Sequence, residues 1–360
     1  MDKNSFYAIG LMSGTSLDGL DMVYAYFLKK DDYWFYEILA CKTVGYDKKL
    51  KSLLQNAHTL NGRELLVLHN SYGEFTGKEV AQFVKEEKIR HVDFIASHGH
   101  TIFHEPQQHF NFQLGNAYFI VRETGIPVIA DFRSRNIIFG GQGAPLVPIG
   151  DRLLFGNYDI RINLGGFSNY SLEDETNTTI AGDICPVNTV LNMLSLQYFG
   201  MEMDKDGKIG SRGKVINTLL ETLDAIDFYH KESMDKSLSR EWLEKEFLPV
   251  LDQYDTSLPE DVMRTVYEHI ARQIAKIVSK YPEKKTVLLT GGGAKNKFLT
   301  DLISGKLQNM ELKIPDNKLI DYKEALIFAF LGVLYFCNDF NCLSSYTKAP
   351  ENMVCGVWYK

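Results

Sequence analysis

The sequence predicts an α/β protein made of two similar domains, and three observations carry that reading. The chain has 360 residues, 45% of them hydrophobic, which supports a large core and exceeds one ordinary domain. A hairpin pattern of strand, small polar turn and strand occurs twice, at residues 7–26 and 160–172. Each hairpin is followed later by an apolar strand that ends in glycine before a helix, at 91–99 and 286–293. This is duplication of pattern, without identity. Two such domains facing one another would bring both hairpin turns to one cleft, a common place for ligands.

The elements follow in order. Residues 6–28 read as strand, polar turn, strand, and "YWFYEILACKTVGY" (33–46) alternates as a further strand. Residues 48–60 and 64–87 have helical spacing. "HVDFIASHGHT" (91–101) is a short strand running into a Gly/His turn. Residues 117–124 read as a helix and "IPVIADF" (126–132) as a buried strand. In the second half, "DIRINLGGFSNYSLE" (159–173) is strand, Gly-Gly turn, strand, and "TIAGD" (179–183) is a strand ending at a carboxylate. Helices are predicted at 187–199, 211–223, 260–281 and 322–337. Between the last two come "KTVLLTGGGAKN" (285–296), a strand entering a triple-glycine turn, and the short strand "ELKIP".

Composition excludes several classes. The formal net charge is -7 and no long Lys/Arg run occurs, so a nucleic-acid or acidic-membrane partner is not expected. The start "MDKN" enters a strand directly, without the basic and apolar segments of a signal peptide, and no apolar run reaches the roughly 18 residues needed to span a bilayer. Five scattered cysteines with no C-x-x-C argue against a disulfide framework or zinc site and fit a reducing cytoplasm.

The stretch "GLMSGTSLDGLD" (10–21) interrupts an apolar hairpin with Ser13, Gly14, Thr15, Ser16, Asp18, Gly19 and Asp21. Glycines let backbone N–H groups approach a ligand, and clustered N–H and hydroxyl donors suit phosphate oxygens. Asp18 or Asp21 could hold Mg²⁺ through water. An ordinary hairpin turn favours the same residue types, so the residues alone leave both readings open. "GGGAKNKF" lacks the G-K-[ST] of a Walker loop and the last glycine of a dinucleotide fingerprint. "GGQGAPLVP" (140–148) is a loop built for close approach, or a hinge. "HGHTIFH" offers three histidines and "EMDKDGKIGSRG" starts like a calcium loop, but the latter ends on Gly213 where a Glu ligand belongs.

Several stretches together resemble the anhydro-N-acetylmuramic acid kinases of the actin/hexokinase/heat-shock-chaperone ATPase superfamily. They are "GLMSGTSLDGLD", "SHGHTIFHEP", "QLGN", "TGIPVIADFRSRNIIFGGQGAPLVP", "NLGGFSN", "LLTGGGAKN" and "EALIFAFL", in the family's order. The resemblance implies a two-domain actin-like ATPase (ribonuclease H-like) fold around a central cleft, with domains expected at 1–133 and 134–340 and a packed-back tail at 341–360. It implies ATP and Mg²⁺, with Gly14, Thr15, Ser16, Leu17, Asp18, Gly19, Leu20 and Asp21 as the phosphate loop, and Gly165, Gly166, Gly291, Gly292 and Gly293 near the nucleotide. It also suggests a homodimer.

The implied reaction adds water to 1,6-anhydro-N-acetylmuramic acid and phosphorylates the freed O6, giving N-acetylmuramic acid 6-phosphate for cell-wall sugar recycling. A carboxylate at hydrogen-bond distance can activate the water. The residues alone favour Asp183 as an N-cap for the following helix; the family's base sits in an Asp-Thr-Gly-Pro-Gly-Asn motif, here "DICPVN", and the resemblance makes Asp183 the candidate base. His98, Arg133, Gln142 and Glu324 are the candidate sugar-binding residues, Arg133 matching the lactyl carboxylate. Glu324 is expected to open its helix, where an acid is favoured by the dipole. Departures from the family pattern are Ile184, Cys185 and Val187 in the base motif, Asn116 and Asn136 where Asp is usual, and the lack of a Thr-rich run in 261–275. Alternatives are a kinase of the same fold for another amino sugar, or a nucleotide-binding relative without turnover.

Overall fold

The structure is a computed structural model that describes residues 4–360 apart from 15–16, 32, 176–178, 232–237, 255–257 and 308. The chain forms two compact units, Met1–Leu154 with Tyr322–Lys360, and Phe155–Asp321. The division differs from the expected boundaries. Residues 134–154 belong with the first unit, and the chain returns to that unit at Tyr322, inside the helix Asn317–Phe336.

Twelve named strands make two sheets among the described residues. The first unit has β1 (Ser5–Ser13), β2 (Leu20–Lys30), β3 (Tyr33–Val44), β4 (Phe94–Glu105), β5 (Phe110–Leu114) and β6 (Val128–Ala130). The second has β7 (Ile160–Leu164), β8 (Phe167–Glu173), β9 (Thr179–Pro186), β10 (Thr286–Thr290) and β11 (Glu311–Lys313), and the chain ends with β12 (Val357–Tyr359) back in the first sheet. In the first sheet β1, β2 and β3 form an antiparallel meander, and β4 then β6 add parallel to β1. In the second, β7, β8 and β9 form the same meander, with β10 and β11 parallel to β7. With β5 set aside as a strand that pairs only with β4, both sheets run third, second, first and then two parallel strands, β3-β2-β1-β4-β6 and β9-β8-β7-β10-β11, the ribonuclease H-like order that the resemblance implies.

The first sheet rests on the C-terminal helix. Ala325–Leu334 is buried throughout, and its Phe330 meets Phe27 and Trp34 while Phe328 meets His98 and Phe132. Each such aromatic or aliphatic side chain contributes about 1.5–3 kcal/mol by leaving water. Gly10 in β1 permits this approach: a Cβ there would lie 1.9 Å from the Ala325 carbonyl oxygen. The helix Gly62–Glu86 covers part of the sheet and starts at a capping box between Asn61 and Glu64. In the second unit the helix Pro259–Val278 buries Val262, Val266, Ile270 and Ile274 at four-residue spacing.

Two local readings change. The "SHGHT" segment is no turn. β4 continues through it to Glu105 and pairs with β5, an unanticipated strand. The irregularity is a bulge: Leu11 faces Ser97 and Ser13 faces His100, so His98 and Gly99, the glycine at φ 76°, together oppose the single Met12. Residues 211–223 are not one helix but a 3-10 turn, Gly210–Arg212, followed by Asn217–Asp224.

Candidate active site

In the first unit the β1–β2 turn carries the proposed phosphate loop. Ser13 and Leu20 are the last paired residues before it, so Gly14, Leu17, Asp18 and Gly19 form the open end. Leu17 adopts φ 58° with its N–H on the Gly14 carbonyl, and its side chain is buried. Thr15 and Ser16 lie outside the described residues. Gly19 packs against the β3 backbone, where a Cβ would fall 2.5 Å from the Val44 oxygen. Beneath the turn, Ser13 Oγ bonds Tyr46 Oη (2.6 Å) and His100 Nδ1 (2.9 Å), and Tyr46 Oη bonds Tyr72 Oη (2.7 Å). That buried polar chain fixes the base of the turn.

Asp21 accepts a bond from Thr43 Oγ1 (2.6 Å), and Asp18 is exposed. No cluster of three or more His, Cys, Asp or Glu suited to a metal occurs among the described residues. Two carboxylates beside this turn fit the needs of Mg²⁺, which takes one or two carboxylates and completes its shell with water and phosphate. The residues present are compatible with that ion.

The candidate sugar residues gather in the same unit. Arg133 Nη2 and Nε reach His98 Nε2 at 2.9 and 3.3 Å, and Nη1 donates to the Gly143 carbonyl at 2.7 Å. His98 Nδ1 donates to the Gly99 carbonyl (3.0 Å), which leaves Nε2 as acceptor for the guanidinium. Burial and the Arg133 charge hold His98 well below its ordinary pKa, so it is neutral. Both its ring nitrogens are engaged, and His100 serves Ser13, which accounts for two of the three clustered histidines without a metal. Burial lowers the Arg133 pKa to about 10, opposed by the nearby Glu324 charge. Glu324 reaches solvent yet is densely surrounded by protein. Burial raises its pKa, while Lys323 and Arg133 pull it down. It lies in the interior of the helix Asn317–Phe336, not at its opening, so the helix-dipole explanation for this acid does not apply. Gln142 donates its N–H to the Thr347 carbonyl (2.6 Å).

A cavity of about 190 Å³ within the unit is walled by Ser97, Asn111, Gln113, Asp131 and Ser134 among others, and His98 is the candidate sugar residue on its wall. Asn111 Oδ1 and Gln113 Nε2 are buried without hydrogen-bond partners. The wall is therefore polar, with one acceptor and one donor unmet.

In the second unit two glycine turns and a helix start come together. The helix Asn188–Phe199 docks on the β7–β8 turn: Val187 N–H donates to the Gly166 carbonyl (2.8 Å) and Asn188 N–H to the Gly165 carbonyl (3.2 Å). Asn188 Nδ2 also bonds the Leu164 carbonyl (3.1 Å). The triple glycine packs against the same place. Gly291 sits at φ 81°, and a Cβ on it would lie 2.7 Å from Asn163 Oδ1; one on Gly293 would lie 2.8 Å from Leu164 Cβ. Gly292 faces Asn188 Nδ2 at a distance that would admit a Cβ. Asn188, the last residue of the 183–188 motif, is the hub of this packing.

Asp183 is within β9, three residues before its end, and not at a strand terminus. Nor does it cap the following helix, whose N-cap is Val187 with no side-chain bond. Its Oδ2 accepts the Leu238 N–H (2.7 Å). Burial raises its pKa, and the Leu238 bond partly counters the rise. Asn169 pairs with Asp183 and Ser168 with Cys185, so Ile184 is a bulge residue. Ile184, Cys185 and Val187 are buried with Leu164, Val190 and Leu194. The bulky departures from the family motif thus fill the core. The calcium-like loop has a structural use: Asp204 accepts from Ile209 N, Gly210 N and Tyr267 Oη at 2.8, 2.9 and 3.1 Å.

A family model for anhydro-N-acetylmuramic acid kinase matches residues 6–360. The chain belongs to this family. It is 33% identical to the anhydro-N-acetylmuramic acid kinase of Sulfurovum sp. (strain NBC37-1), with 100% of both chains covered. It is 32% identical to that of Actinobacillus pleuropneumoniae serotype 7, again over 100% of both. With the Bacillus cereus (strain 03BB102) enzyme it shares 30% identity over 97% of this chain and 98% of the relative. No helix among the described residues is long and apolar enough to cross a membrane.

Proposed function

We propose that the protein is an ATP-dependent kinase that opens 1,6-anhydro-N-acetylmuramic acid with water and phosphorylates O6, yielding N-acetylmuramic acid 6-phosphate in cell-wall sugar recycling. The full-length family match carries this reading. Asp183 removes a proton from the water as its oxygen attacks the anomeric carbon. The bond from that carbon to O6 breaks with its electron pair on O6. O6 then bonds the γ-phosphorus as the bridging oxygen leaves with ADP. A raised pKa suits a base that must take a proton and release it again.

The Gly14–Asp21 turn takes the phosphates of the nucleotide through backbone N–H groups, and Gly165, Gly166 and Gly291 to Gly293 are the remaining nucleotide-binding residues. Asp18 and Asp21 are the residues that would hold Mg²⁺, which would supply charge neutralisation on the phosphates. Arg133 pairs with the lactyl carboxylate, its fork fixed by His98 and Gly143. Glu324, His98 and Gln142 complete the sugar's surroundings. The protein acts as a cytoplasmic homodimer. The burial of Ile184, Cys185 and Val187 favours an active enzyme over a relative without turnover, because their bulk is directed into the core. Incubating purified protein with ATP, Mg²⁺ and the anhydro sugar, then weighing the product, tests the proposal. Sugar phosphate carrying one added water supports it. ADP release only with another amino sugar, or nucleotide binding without turnover, overturns it.

A further inference from the structure

The Arg133 guanidinium stands at the end of a hydrogen-bond relay that begins in the C-terminal segment. Thr347 is fully buried at 0% exposure. Its hydroxyl donates to the Leu343 carbonyl (3.0 Å), so a lone pair remains for Asn136 Nδ2, which donates to it at 3.0 Å. Asn136, also at 0% exposure, accepts the Gly143 N–H on Oδ1 at 2.8 Å. The carbonyl of Gly143 then accepts Arg133 Nη1 at 2.7 Å. Thr347 grips the same loop a second time, its carbonyl accepting the Gln142 N–H. All of this relay lies within one compact unit.

We propose that Thr347 is a positioning residue for Arg133, acting through Asn136 and Gly143 to set the angle at which the guanidinium meets an anionic group of the sugar. Asn at 136, where the family pattern has Asp, is matched to this partner. An aspartate there has no proton to offer Thr347 Oγ1, and the threonine would have to abandon Leu343 to donate instead. The Asn136–Thr347 pair therefore works as a unit, although residue 347 is remote in sequence from the loop it orients. The inference rests on reading Arg133 as a sugar-binding residue.

Thr347→Val keeps shape and removes the acceptor, and Thr347→Ser keeps the acceptor. Losing one buried hydrogen bond should raise the KM for the anhydro sugar about 5–10-fold and leave that for ATP within about 2-fold, with Thr347→Ser close to wild type. A second readout needs no substrate: phenylglyoxal modification of Arg133, followed by peptide mass, should accelerate in Thr347→Val and stay at the wild-type rate in Thr347→Ser. Asn136→Ala breaks the relay from its other side, should give the same pattern, and serves if Thr347→Val fails to fold. Unchanged Arg133 labelling in the folded variants, or equal shifts in both KM values, overturns the proposal. Failure of the wild type to turn over the sugar, with labelling altered as expected, would instead overturn only the substrate reading.

Discussion

Replacing Asp183 with asparagine isolates the base from the fold. The side-chain oxygen that accepts the Leu238 N–H (2.7 Å) is retained, so what the fold loses is the difference between a charged and a neutral acceptor, about 1 kcal/mol. Part of that is returned, because burial disfavours the carboxylate, as its raised pKa records. The melting temperature should therefore move by no more than roughly 2–4 °C. The chemical loss is far larger. A positioned general base contributes roughly 10²–10⁴-fold, equivalent to about 3–5 kcal/mol of barrier. Steady-state turnover at saturating ATP and sugar, paired with calorimetric ATP binding, separates the two: kcat should fall by at least about 100-fold with ATP affinity unchanged. The wild-type kcat should also fall on acidification at a pH above the ordinary carboxylate value of 3.8, since the base must be ionised to act. Turnover within about threefold of wild type would refute the assignment, and an unfolded variant would refute the structural half of the reasoning.

Other outcomes follow from the same geometry. Arg133→Lys keeps a charge but cannot fork between His98 and Gly143, so the KM for the sugar should rise about tenfold or more, as measured by sugar titration at fixed ATP; an unchanged KM would remove Arg133 from the site. His98 has a folded pKa below its unfolded value near 6.5. Its contribution is complete above about pH 6.5 and is lost as pH falls toward the folded value, at up to about 1.4 kcal/mol per pH unit. Thermal melts between pH 7 and 5 should fall less steeply in His98→Gln; parallel slopes would contradict the neutral acceptor role. Gly291→Ala forces a side chain into φ 81° and to within 2.7 Å of Asn163 Oδ1. It should cost about 1–3 kcal/mol in stability, read by chemical denaturation, and weaken nucleotide binding; wild-type values for both would mean that the turn is not needed as drawn.

The sequence made the duplicated meanders legible because hairpin turns and period-two alternation are local signals. Residues 7–26 and 160–172 became β1–β2 and β7–β8 for that reason. The β4–β5 hairpin was hidden because Gly99 and two histidines imitate a turn, while in three dimensions they form a bulge within a continuing strand. The domain boundary escaped because it depends on where the returning helix and β12 pair, a long-range event with no local mark. At the site, motifs pointed to His98, Arg133 and Glu324, whose mutual contacts and charge couplings follow from the fold. Thr347 and the hub role of Asn188 had no signal: each is a single polar residue whose use depends on partners far along the chain. Asp183 looked like a cap by residue type, and only the extension of β9 to Pro186 removes that reading.

The most direct measurement is turnover of 1,6-anhydro-N-acetylmuramic acid with ATP and Mg²⁺ in water enriched in heavy oxygen, with the product examined by mass spectrometry for wild type and Asp183→Asn. The account predicts a sugar monophosphate bearing one heavy oxygen at the anomeric carbon from the wild type, and only traces from the variant. A phosphorylated sugar without solvent oxygen, or equal yields from the two proteins, would contradict it.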